Sequence, residues 1–179
     1  MTTGDRREPG DAMSKIPTSL HEFAAGDESD LQIVVPWTGP VIDPETGGLR
    51  EPLPESYLVA TSVGWPKPGH EEIGAQLNAA ILEDLWKRDG LLAATLAISP
   101  KSWNAARNLV LWRDKEALDA FLFSEAHLTA ARRTKGLMYD WEGTHWIGTS
   151  TTQLPTFAEA RARLDAVRPP GPSPFHSPD

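Results

Sequence analysis

The chain contains no cysteine. Disulfides, thiolate nucleophiles and thiolate-bound metals are excluded together, and a reducing, cytoplasmic setting is the expectation. No stretch approaches the roughly 20 consecutive apolar residues that a membrane span needs. The first thirty residues are rich in Asp, Glu, Arg, Pro and Gly and hold no apolar run of the kind a secretory signal uses, so no membrane partner is expected. Basic charge is scarce, with 17 Lys and Arg against 25 Asp and Glu and a net charge of −8. Binding a phosphate backbone takes the opposite balance, so nucleic acid is not an expected partner. The one basic cluster, Arg132, Arg133 and Lys135, reads as a solvated helix end.

Chemical motifs are also missing. There is no phosphate-cradling glycine loop, no GxSxG elbow and no HExxH zinc pair. The five histidines are scattered without ligand spacing, so no metal is expected. The lone glycine in Gly143-Thr144-His145-Trp146 reads as a strand bulge.

Proline and glycine are plentiful, 16 and 14 residues, and their distribution divides the chain. Residues 1–30 read as a disordered head. Residues 31–56 read as an irregular Pro/Gly-rich arm, opened by the β-like run LQIVVP, in which a turn at Thr46-Gly47-Gly48 can fold Val41-Ile42 back on Leu49. The folded domain is expected at 57–168 and a Pro-rich tail at 169–179.

Within the domain, YLVATSVGW (57–65) is a strand stopped by Pro66. Ile73, Leu77, Ala80, Ile81 and Leu85 then form one helical stripe, ended by Asp89-Gly90. LLAATLAIS (91–99) and RNLVLW (107–112) read as antiparallel strands. Asp114 N-caps a helix carrying Ala117, Leu118, Phe121 and Leu122, and Ser124 re-caps a second segment with His127, Leu128 and Ala131. Residues 139–150 are a fourth strand. Thr156 and Glu159 make a capping box for a last helix with Phe157, Ala160, Leu164 and Val167 inward. The fold class is therefore α+β: a ferredoxin-like β-α-β-β-α-β sheet with an extra C-terminal helix. Such a sheet has helices on one face only, and pairing of that open face with an identical chain, as a homodimer, is the expected cover.

Two segments resemble a known family. WRDKEALDAFLFSEAHLTAARR (112–133) is similar to the Trp, acidic, Ala-Leu, Phe, Ser, His signature of antibiotic-biosynthesis-monooxygenase-like proteins of the dimeric α/β-barrel superfamily. LPTFAEARARLDAVRPPGPSPF (154–175) resembles the closing segment of domain-of-unknown-function family 3291. There Pro155-Thr156, Glu159-Ala160, Arg163-Leu164 and Gly171-Pro172-Ser173-Pro174 recur in that order. The resemblance spans residues 57–175 and implies a dimeric α/β barrel. It also implies a small-molecule enzyme working without metal or organic cofactor, one that oxidises, isomerises or cyclises a hydrophobic, aromatic or polycyclic molecule. Heme-degrading relatives place an axial histidine about one turn beyond the Ser-x-x-His position, where this chain has Ala130 and Ala131, so heme is disfavoured.

Such chemistry needs a base and donors for an anion. His127 and His145 are the candidate bases and Asn108, with Arg107, the candidate anion contact. Trp112, Trp141 and Tyr139 are candidate walls, and Trp103 is a candidate lid from the loop between the middle strands. Each has a plainer alternative. His127 can be a helix-packing residue bonded to backbone or to Ser124, and the tryptophans can belong to an interface or the core. A non-catalytic ligand-binding or interaction protein of the same fold is the competing functional reading.

Overall fold

The structure, a computed structural model, describes residues 15–173. A five-stranded antiparallel sheet in the order β1-β3-β4-β2-β5 forms its centre. Its strands are β1 (Gln32–Thr38), β2 (Tyr57–Pro66), β3 (Leu91–Ser99), β4 (Ala105–Trp112) and β5 (Met138–Gly148). Strands β2 to β5 carry the ferredoxin-like order, and β1 is an additional edge strand on β3. The helices are α1 (Leu20–Ala24), α2 (Glu71–Trp86), α3 (Lys115–Leu122), α4 (Glu125–Thr134) and α5 (Phe157–Val167). None of them is long and apolar enough to cross a membrane, among the described residues.

The caps read from the sequence form. The Asp114 carboxylate accepts from the Ala117 amide at 2.8 Å, Ser124 Oγ from His127 at 3.2 Å and Thr156 Oγ1 from Glu159 at 3.1 Å. Only the Thr156 half of the expected capping box is made, because the Glu159 carboxylate turns to Arg163 at 3.7 Å. In α5, Ala160 and Leu164 are buried while Val167 is exposed.

Alternation along the strands sends side chains to two faces. Leu58, Val110 and Trp112 join Leu85, Ala117, Leu118 and Phe121 beneath the helices. Here α3 sits directly on β2 and β4, while α2 lies mainly against α4 and reaches the sheet's apolar cluster through Ile81, Leu82 and Leu85.

The other face is not open. Val59, Leu109 and Leu111 pack against Val41, Ile42 and Leu53 of the arm and Ala160 of α5. Val63, Trp65 and Ala105 pack against Leu20, Phe23 and Ala24 of α1 and Leu164 of α5. Phe23 is the hub, with its ring 5.4 Å from Trp65, 5.5 Å from Tyr139 and 5.7 Å from Trp103.

Three expectations are corrected by this. The part of the disordered head within the described residues is ordered, because Leu20 and Phe23 bury large apolar surface; residues 1–14 lie outside the described chain. The arm is only partly irregular. It contributes β1, and the expected fold-back closes as a bridge between Ile42 and Leu49. The face assigned to a partner chain is already occupied by this chain's own head, arm and last helix, so a homodimer through an open sheet face has no open face to use. The tail is tied down at its start, where buried Ser173 donates to Asp140 Oδ1 at 2.9 Å. The remaining residues, 174–179, are outside the described chain.

Candidate functional site

On the helix side, the strands taper from bulky to small. Along β2 this face reads Leu58, Ala60, Ser62, Gly64, and along β4 it reads Trp112, Val110, Asn108, Ala106, each residue opposite its counterpart. The next strand places Ile147, His145, Gly143 and Trp141 beside Leu58, Ala60, Ser62 and Gly64. Large side chains at one end fill the space under α3. At the other end they are small: Met138 and Trp141 lie over buried Gly64, and around Ser62 and Asn108 the face stays half-buried, a shallow depression. The first ten residues of α2 include none that is buried, Ile73 is 46% exposed and only Leu85 is buried. Ser62, Leu96, Ile98, Asn108 and Trp141 are consequently all half-buried.

The depression has a polar centre. The Ser62 amide donates to Asn108 Oδ1 at 3.0 Å, and Asn108 Nδ2 donates to Ser62 Oγ at 2.5 Å. The first bond fixes the carboxamide orientation, since a backbone N–H can face only an acceptor. Ser62 Oγ, already accepting, keeps its own proton to donate, and Asn108 keeps a second amide proton. Two donors thus stand free among apolar walls, the arrangement of a small-molecule site. Ser62 was not singled out from the sequence. Its signal was the small and polar set Ala60-Ser62-Gly64 on one face of an otherwise apolar strand.

Of the sequence-derived candidates, Asn108, Trp141 and His145 share this face. His145 is exposed and lies one row from Ser62, a diagonal of about 7–8 Å in a sheet. The others do not join them. Trp112 is fully buried, its ring 5.3 Å from Phe121, a core residue rather than a cavity wall. Arg107 is on the opposite face, 3% exposed, with Nε 2.8 Å from both carboxylate oxygens of Glu28. Its charge is spent on an ion pair and it is not free to hold a substrate. Tyr139 is turned to the far face by a bulge, since Trp65 pairs with Asp140 and Pro66 with Met138, and it stacks on Phe23. Trp103, in the left-handed conformation at φ 50° after the Pro100–Ser102 turn, stands edge-on to Phe23. It caps the closed side and not the depression.

His127 packs between helices. Its ring stands edge-on to Phe121 at 5.1 Å. Burial holds its pKa below the ordinary value of 6.5, opposed by the Leu122 carbonyl that accepts from the ring and by the Asp84 carboxylate. The ring lies in the helix layer, beside Phe121.

A second concavity of about 570 Å³ runs between α2 and α4. Apolar Ile73, Leu77, Ala80, Ala126 and Ala130 line it together with Gln76, Thr129 and the charged Asp84, Arg88, Glu125 and Arg133, and no residue of the sheet is among them. Among the described residues, no three His, Asp or Glu side chains are grouped as a metal ion would require.

Residues 75–176 match the model of a family described as a domain of unknown function (DUF3291). No curated protein matches the chain. Among solved structures, a Fusobacterium nucleatum protein provisionally named a monooxygenase is 14% identical and superposes with a TM-score of 0.52. That match covers 69% of this chain and 54% of the other, so the chain spans about half that protein's length. A protein described as an antibiotic biosynthesis monooxygenase is 19% identical, over 55% of this chain and 99% of its own, with a TM-score of 0.46. A Mycobacterium tuberculosis protein is 15% identical over 55% and 99%, with a TM-score of 0.47. At 14% identity the likeness to the Fusobacterium nucleatum protein is one of fold.

Proposed function

The chain belongs to the DUF3291 family, and we propose that it binds a largely apolar, oxygen-bearing small molecule in the depression around Asn108 and Ser62. The observation that carries this reading is the coincidence of the tapered floor with the hydrogen-bonded Ser62–Asn108 pair. Ala106 and Gly143 keep the face low, and Asn108 and Ser62 supply protons for a carbonyl or phenolate oxygen. Leu96, Ile98 and Trp141 supply apolar area, worth about 25 cal/mol for each Å² of ligand and protein surface they remove from water. A reducing, cytoplasmic setting belongs to the same reading.

The test is a titration with phenols and quinones of one to three fused rings, followed by tryptophan emission. Binding is expected for at least one ring system. Asn108→Ala should weaken it by about 1–3 kcal/mol, the cost of an unmet buried acceptor, and Gly64→Val should abolish it by filling the floor. Absence of binding across the panel, or binding indifferent to both substitutions, overturns the reading.

A catalytic reading is favoured by the position of His145. An imidazole is the commonest general base. From the same face, through a ligand or one water, it can take a proton while Ser62 and Asn108 hold the resulting anion. This would be a cofactor-independent oxidation with molecular oxygen as the electron acceptor, or an isomerisation or cyclisation that needs none. His145→Ala should then remove turnover of a bound phenol while leaving its affinity within about threefold. Unchanged turnover in that variant leaves binding alone.

A further inference from the structure

We propose that the head occupies, as a built-in stand-in, a second ligand site on the far face of the sheet, which takes a free aryl carboxylate when the head lifts. The site lies across the sheet from Ser62 and Asn108 and is argued without them. Trp65 of β2, Trp103 of the turn after β3 and Tyr139 of β5 form its walls. Arg107 of β4 supplies its charge, one row from Trp65, since Val63 pairs with Arg107 and Gly64 with Ala106. The head fills this site with two groups, five residues apart in sequence. The Phe23 ring meets the three aromatic side chains, and the Glu28 carboxylate meets the Arg107 guanidinium. A small molecule with a ring and a carboxylate on a short chain carries the same two groups.

The head covers this face incompletely. Trp65 Nε1, Ser102 Oγ and Arg107 Nη1 are buried beneath it, and none has a hydrogen-bond partner among the described residues. A permanent core satisfies such groups or replaces them, because an unmet one keeps its full desolvation cost. Glu28 turns both oxygens to Nε of Arg107 and leaves Nη1 unmet. A ligand carboxylate lying across the guanidinium can take that nitrogen in a bidentate fork. An ion pair buried this deeply is a poor source of stability beside apolar packing, so stability alone does not account for it. Trp103 and its neighbour Asn104 take left-handed φ of 50° and 56°, strain of the kind that gathers at ligand sites. The head also lies outside the matched domain: residues 75–176 take in Trp103, Arg107 and Tyr139 but not Phe23 or Glu28. After the head the chain is fixed at Asp30, whose carboxylate accepts from Ser99 Oγ at 2.7 Å and from the Lys101 amide at 2.9 Å. The residues before Asp30 can lift about that point.

The experiment adds 3-phenylpropionate to the full chain and follows it by hydrogen exchange and titration calorimetry. In the wild type the ligand should speed exchange of the Phe23, Ala25 and Gly26 amides, which are hydrogen-bonded within the head, and should not speed exchange in β2 or β4. Because binding needs the lifted head, wild-type affinity is lowered by the small fraction of chains in that state. A methyl group on Gly26 would collide with Ser102 Oγ and stand 3.2 Å from Trp103 Cζ3, so Gly26→Ala pushes the head away and keeps every proposed ligand contact. It should bind about tenfold tighter or more than the wild type, as should Phe23→Ala, which vacates the ring position; circular dichroism confirms that each variant folds. Adding Arg107→Met should remove the gain, and 3-phenylpropan-1-ol, which lacks the carboxylate, should show none. Head amides that exchange no faster in the wild type overturn the inference, whatever the variants do. So does a folded Gly26→Ala or Phe23→Ala that binds no tighter, or a gain that survives Arg107→Met or is shared by the alcohol. A response lost in Asn108→Ala places the ligand in the depression instead and overturns it as well.

Discussion

Glu28 and Arg107, 79 residues apart in sequence, meet in the interior with both carboxylate oxygens 2.8 Å from the guanidinium Nε. Their side chains are 10% and 2% exposed, and Arg161 approaches the same carboxylate at 3.5 Å while donating to the Ala24 and Gly26 carbonyls at 2.9 and 3.0 Å. The pair pins the head onto the sheet. Replacing Glu28 with Gln leaves a buried guanidinium uncompensated and should cost about 3–5 kcal/mol, measured by urea unfolding. Replacing both, Glu28→Leu with Arg107→Met, should recover most of that loss. Arg107 Nη1 has no partner even in the native pair, so the ion pair is costly to keep and more costly to break. A loss under about 1 kcal/mol for Glu28→Gln would show that the head is not held this way.

The aromatic hub makes a second demand. Phe23 is fully buried against Trp65, Trp103 and Tyr139. Truncation to Ala should destabilise the protein by about 3–5 kcal/mol. Tryptophan emission should shift to the red as Trp103 loses its edge contact. An unchanged unfolding midpoint would mean the head merely rests on the sheet.

His127 sets a pH dependence. Its folded pKa lies below 6.5 because burial disfavours the imidazolium. Above 6.5 the group is neutral in both folded and unfolded chains and contributes nothing to the dependence. As pH falls below 6.5 the unfolded chain takes up a proton that the folded one refuses, so stability declines until the lower folded pKa is reached. The thermal midpoint should therefore drop as pH falls below 6.5, and His127→Gln should flatten that part of the curve. Loss of the Asp114 cap belongs to a more acid window, because that carboxyl is held below 3.8 by the Ala117 amide and Arg113. A His127→Gln profile parallel to the wild type would remove the buried-imidazole explanation.

Gly64 offers a steric test of the depression. A methyl group there would come within 2.7 Å of Met138 Sδ and 3.2 Å of Met138 Cε, atoms of an unbranched side chain that can turn aside. Gly64→Ala should therefore fold, with a loss of about 1 kcal/mol or less, while pushing Met138 over the floor. Ligand affinity should fall more than stability. Equal affinity in the variant would place the ligand elsewhere.

What the sequence showed was set by local chemistry. Caps at Asp114, Ser124 and Thr156 need only side chains three residues from their targets, and the 91–99 strand is delimited by Gly90 and Pro100. The helix-side alternation that joins Asn108 with Trp112, and Trp141 with His145, was equally readable. What escaped is non-local. That Leu20 and Phe23 lie on Trp65, and that Glu28 takes up Arg107, depends on residues dozens of positions apart in a segment whose Pro, Gly and charge content resembles a disordered tail. The bulge that turns Tyr139 away from Trp141 is set by pairing with Trp65 and Pro66. Ser62 becomes a candidate only once register places it opposite Asn108.

The most direct test of the account is a comparison of two nitrogens on opposite faces of the same sheet during titration with the tightest-binding phenol or quinone. In ¹⁵N-resolved NMR spectra, the Asn108 side-chain amide should shift progressively, and the shift should vanish in Ser62→Ala. The Trp65 indole N–H, sealed beneath Phe23 on the far face, should stay in place. Movement of the Trp65 indole with a stationary Asn108 amide would contradict the assignment of the site to the helix side.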